Sequence, residues 1–168
     1  MRTLLTSATA FILMGVVLCA QKVSTDFNPS APFGSYKTYT WTAGTPASDP
    51  LAEERIHAAV NNQLATKGLT ENDTAPNLAV ATHVTTANQQ QVIAPGFGWG
   101  PWGWGGPGPR IENYVQGTLI VDLYDATTKK LVWRGVATST LSDKISKNTD
   151  KMEKALTKMF EKYPPFQE

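Results

Sequence analysis

Residues 95–109 read PGFGWGPWGWGGPGP, and no helix or central strand can run through them. Every position is Gly, Pro, Trp or Phe. Proline lacks the backbone donor that a helix interior or a sheet ladder needs, and glycine loses the most freedom on ordering. The chain is therefore cut in two, with a connecting loop expected over 92–110. A connection this long without secondary structure is usually functional or disordered. No charge interrupts the 95–109 stretch, yet Phe97, Trp99, Trp102 and Trp104 are side chains that a protein surface normally hides. Those four residues are the candidate binding loop. A membrane headgroup layer, a glycan face or an envelope protein partner would each suit such rings.

The N-terminus reads as an export signal. Arg2 supplies a short positive region, and LLTSATAFILMGVVL (4–18) is uncharged and mostly apolar. It is short for a membrane span of about 20 residues, and the polar residues Gln21 and Lys22 follow it closely. We therefore expect a signal segment over 1–19 and a single domain over 20–168. Cys19 is the only cysteine, so no internal disulfide forms. A lone cysteine at this place is where a bacterial lipoprotein carries its lipid, although Leu18 before it is larger than the usual small residue. Cleavage after Ala20 would discard the cysteine instead. Either route predicts an exported protein, periplasmic or associated with the outer membrane.

The remaining composition narrows the function classes. The 168 residues suit one domain, and charged residues make up only 17%. Net charge is +1, and Arg2 is the only charge within 1–19, so the processed chain is formally neutral. Nothing here resembles the concentrated basic face of a nucleic-acid binder.

Local patterns then place the elements. Tyr36 to Thr42 predicts a first strand, with Tyr39 and Trp41 on one face and Tyr36 on the other. SDPLAEERIHAAVNNQLATKGL (48–69) predicts a helix capped by Asp49, with Pro50 in its first turn and Gly68 at its C-terminal end. Its apolar stripe is Ala52, Ile56, Ala59, Val60 and Leu64. NLAVATHVTTANQQQ (77–91) predicts a second strand. Residues 112–142 predict a long hairpin turning at Thr127, Thr128 and Lys129, which sets Leu123 opposite Trp133, Val121 opposite Gly135 and Asp122 beside Arg134. NTDKMEKALTKMFEKYPP (148–165) predicts a second helix capped by Asn148, Thr149 or Asp150. The fold class is α+β in the order β-α-β-β-β-α, a four-stranded, mostly antiparallel sheet with two helices on one face. Leu119, Val121, Leu123, Trp133 and Ala137 should face those helices.

YKTYTW (36–41), DPLAEERIHAAVNNQLATKGL (49–69), NLAV (77–80), GTLIVDLYDATTKKLVWRG (117–135) and KMFEKYPP (158–165) together resemble the bacterial family called domain of unknown function 4136. The resemblance covers residues 23–165. It implies an exported envelope protein, often with a lipoprotein signal and a Gly/aromatic insert at this place, and it assigns no activity.

No catalytic signature stands out. Gly98, Gly100 and Gly103 match G-x-G-x-x-G, but Pro101 interrupts the motif and Pro107 and Pro109 forbid the helix that would receive a phosphate. His57 and His83 have no second ligand at metal spacing, so no metal and no cofactor are expected. Asp122, Asp125 and Asp143 could meet only through tertiary structure. The sequence thus favours a non-catalytic envelope binding module with an adhesive aromatic loop. The competing reading is a small-ligand-binding or hydrolytic envelope protein whose pocket the sequence does not reveal.

Overall fold

The computed structural model describes residues 21–93 and 110–165. The expected signal segment, Cys19 and the four ring-bearing loop residues lie outside them. Six strands form one sheet, where the sequence had suggested four: β1 (Lys22–Phe27), β2 (Thr38–Trp41), β3 (Thr70–Glu71), β4 (Leu78–Ile93), β5 (Arg110–Asp125) and β6 (Leu131–Thr140). Their spatial order is β1-β6-β5-β4-β2-β3. The two helices among the described residues are α1 (Pro50–Thr66) and α2 (Ile145–Phe160). The sheet is mixed, because β2 runs parallel to both β3 and β4 while every other pair is antiparallel.

The two extra strands exist only through pairing. β1 is six residues long and mostly exposed, and it becomes a strand by completing the free edge of β6, Lys22 opposite Thr138 and Phe27 opposite Trp133. β3 contributes two residues beside β2. Neither segment carries an apolar alternation that a sequence pattern could detect.

Helix α1 follows its local signals. The Asp49 carboxylate accepts from the Leu51 N–H, and Pro50 occupies the first turn. At the other end Gly68 adopts φ 76°, and Leu69 N–H reaches back to the Leu64 carbonyl at 3.0 Å. Helix α2 corrects the expected start, since it begins at Ile145 with Lys144 as an N-cap that supplies no side-chain bond. Asn148 is inside the helix rather than capping it. Its side chain accepts from Ser142 N–H and donates to the Ser142 carbonyl, which holds the turn leading into the helix.

The hairpin keeps the expected register over its length, including Leu123 opposite Trp133 and Leu119 opposite Ala137. It slips by one residue beyond Leu123, so Tyr124 faces Leu131. The cause is Asp125, whose carboxylate accepts from the Thr127 and Thr128 N–H groups and whose carbonyl accepts from Lys129. The turn therefore spans Ala126–Lys129, with Lys129 at φ 58°, rather than three residues. Tyr36 also departs from expectation. It follows a single 3-10 turn (Phe33–Ser35), is buried against Phe33, and donates to Asp125 at 3.0 Å.

Both helices lie on one face of the sheet and bury Ile56, Val60, Leu64, Leu156, Met159 and Phe160 against Leu119, Val121, Leu123, Trp133 and Ala137. Chain direction fixes a common geometry. β1 starts, and β6 ends, at one end of the sheet, which we call the upper end. Helix α2 follows β6 from there and runs down to Phe160, whose ring lies 5.2 Å from that of Trp133. Helix α1 runs the same way, and Gln63 meets Thr157 near the lower ends of the pair.

Candidate functional site

Strands β4 and β5 stay paired to Ile93 and Arg110, whereas β6 stops at Thr140 opposite Gln116. The six pairs from Asn88–Val115 to Ile93–Arg110 therefore form a two-stranded arm that leaves the body at the upper end. Strand pairing reaches further than the expected loop boundaries, because Val92, Ile93 and Arg110 belong to the ladder. Val92, Ile93, Ile111 and Val115 are all exposed, with Val92 and Ile111 above 60%. A two-stranded ribbon is marginal in water alone, so four aliphatic side chains without cover are conspicuous. The arm ends where the Gly/Pro/Trp segment begins. A polar cleft of about 720 Å³ opens between its base and the 141–143 turn, lined by Gln90, Tyr114 and Ser142 among others.

The second feature lies beside the arm. Between the first turns of α1 and α2 and the upper part of the sheet there is a groove of about 400 Å³. Its floor is Val84, Leu119 and Ala137, and its walls are Ala52, Ile56, Met152 and Ala155. Arg55, Lys151 and Asp49 stand among its lining, together with Gln21, the first described residue. This volume falls within the range of small-molecule sites, and its aliphatic lining suits an apolar ligand.

A third cluster occupies the sheet face opposite the helices. Asp122 is fully buried and takes both guanidinium bonds of Arg134 at 2.6 Å. It also accepts from the Tyr124 hydroxyl, and His83 Nε2 lies 3.6 Å away. The Asp122 bond holds Arg134 above its ordinary value, while burial and then the neighbouring carboxylate push Tyr124 up. With Arg134, Tyr124 and His83 around it the carboxylate is a cross-strand clamp. Asp125 sits instead in the hairpin turn, where the Thr128 N–H above all lowers its carboxyl. Burial and the Asp125 bond together raise Tyr36 to about 12. Asp143 lies beyond β6 before α2, so the three aspartates do not converge.

The histidines are separated as well. His57 stacks on Trp41, ring centroids 3.9 Å apart, and pairs with Glu53 at 3.0 Å. His83 Nδ1 meets the Thr45 hydroxyl at 3.0 Å. Among the described residues no three His, Cys, Asp or Glu side chains form a metal-binding group. Among them, too, no helix is long and apolar enough to cross a membrane.

Residues 23–165, which carry this arrangement of strands, hairpin and helices, match a known family model. The chain belongs to the family described as Domain of unknown function (DUF4136). No curated protein matches it significantly. Among solved structures, a PDZ domain protein from Parabacteroides distasonis shares the fold at a TM-score of 0.59 and 15% identity. That likeness covers 88% of this chain but only 37% of the other, so the DUF4136 chain corresponds to a minor part of that protein. A PelC dodecamer from Paraburkholderia phytofirmans is similar more loosely, at a TM-score of 0.49 and 14% identity over 83% of this chain and 97% of that one. A minor lipoprotein from Acinetobacter baumannii follows at 0.39 and 12%, over 76% of this chain and 91% of that one.

Proposed function

We propose that this DUF4136 protein is a non-catalytic binding module of the bacterial cell envelope that applies its arm to a lipid interface. One observation carries the reading: the arm, with Val92, Ile93, Ile111 and Val115 exposed, rises from the same end of the sheet at which the chain enters at Lys22. A chain held at its N-terminus, through Cys19 or otherwise, would present the arm back toward the anchoring surface. Phe97, Trp99, Trp102 and Trp104 continue that arm in sequence, and tryptophan favours the headgroup layer. Aliphatic residues around the ring-bearing segment favour lipid over a glycan, which offers hydroxyls to polar partners. The location rests on the apolar 4–18 segment.

The test uses a Cys19→Ser background, so that no attached lipid contributes. Co-sedimentation with vesicles of phosphatidylethanolamine and phosphatidylglycerol should be strong for that chain. It should fall about ten-fold or more, the equivalent of one lost anchor of modest strength, when Trp99, Trp102 and Trp104 all become Ser. The unfolding temperature should hold. Unchanged vesicle binding defeats the proposal, and a sharp drop in unfolding temperature would assign these rings to the core instead.

A further inference from the structure

The helix–sheet groove is independent of the arm and has its own chemistry. Its hollow owes part of its depth to side-chain size: beside Val84 and Leu119 the upper floor carries Ala137 and Ser139, while the lower floor carries Leu123 and Trp133. Over it the helices set Ala52 and Ala155 between Ile56 and Met152. Water in such a channel meets mostly carbon, which favours filling it with an aliphatic chain.

The rim adds a charge preference. Arg55 is half-buried at the groove, and among the described residues its guanidinium has no hydrogen-bond or ion-pair partner. The Lys151 ammonium stands on the other helix, donating to the Thr140 carbonyl at 2.7 Å. Asp49, the acidic group of the lining, is engaged by the Leu51 N–H at the start of α1. Two cations, one of them unpartnered, thus face an aliphatic trough, which complements a molecule with one anionic head and one long tail.

We infer that the groove binds a single long-chain fatty acid, with its tail over Leu119 and Ala137 and its carboxylate at Arg55 and Lys151. The site holds one molecule, and it opens at the upper end beside the arm, where a lipid interface would deliver its ligand.

The full chain, purified as processed in its native cell, is titrated with cis-parinaric acid, a fluorescent fatty acid. Saturable binding at one molecule per chain is expected, displaced by unlabelled fatty acid. Ala52→Leu should abolish it by filling the trough, and Ala137→Leu does the same from the floor should the helix variant fold poorly. Arg55→Gln should weaken the acid about ten-fold while leaving its methyl ester unaffected. The triple Trp→Ser arm variant should bind the probe as the unaltered chain does, which separates failure here from failure of the vesicle assay. No saturable binding, equal binding by both groove-filled variants, or equal loss of acid and ester in Arg55→Gln overturns the assignment. Refusal of the probe because the segment upstream of Gln21 fills the groove overturns it as well.

Discussion

The lower and upper halves of the helix–sheet interface are made by the same two helices on the same three strands, yet one is packed and the other hollow. In the lower half Trp133, Phe160, Leu64, Leu123 and Leu156 are completely buried, and Tyr163 closes the bottom with its ring 5.7 Å from Trp133. In the upper half Ala52, Ala137 and Ala155 stand among the facing positions, and Ile145 at the head of α2 is 62% exposed. An apolar stripe brings a helix onto a sheet in both halves. Whether the result is core or cavity depends on volume, since interiors are packed like organic crystals and tolerate few voids. Even the packed half needs one missing side chain: a Cβ on Gly135 would lie 2.7 Å from the Trp133 ring and 2.8 Å from the Met159 sulfur.

The largest expected effect lies in the packed half. Trp133→Ala should lower unfolding free energy by about 3–5 kcal/mol in urea titrations, because the indole is surrounded by rings and helix side chains that cannot close over the gap. A loss below about 1 kcal/mol would mean that this half is as yielding as the other. The indole N–H of Trp133 finds no partner among the described residues, so the loss comes from packing and not from a broken hydrogen bond. Gly135→Ala should follow, costing about 1–3 kcal/mol by overpacking against Trp133 and Met159. The smallest effect belongs to the hollow half: Ala52→Leu should change stability by less than about 1 kcal/mol, its added burial offset by minor adjustment. A loss as large as that of Gly135→Ala would show the groove to be filled already, and the contrast between the halves would collapse.

Helix α1 and the hairpin were legible because their determinants are local. Asp49, Pro50 and Gly68 each act on the backbone within a few residues, and the alternation from Leu119 to Ala137 fixes which strand faces meet. The start of α2 was less legible, since Asn148 looks like a cap but spends its side chain on Ser142. Strand β1 lacks a local signal for a different reason. KVSTDF has no strong preference of its own, and only the free edge of β6, more than a hundred residues away, makes it a strand. The groove is further still from any local pattern, because its lining comes from both helices and three strands. The tail of β4 was visible as NQQQ, but that it stands clear of the body follows only from where β6 stops.

The placement of β1 has a mechanical consequence. It is the first strand among the described residues, it lies on the outer edge, and it runs downward from the upper end against β6 through six pairs, Lys22–Thr138 to Phe27–Trp133. Tension applied at the N-terminus along the strand axis pulls this ladder in shear. Its pairs must slide together, whereas a sideways pull would open them one by one. The segment with the faintest sequence signal is thus the one that first takes up any load on a tethered domain, and its resistance depends on the direction of the pull.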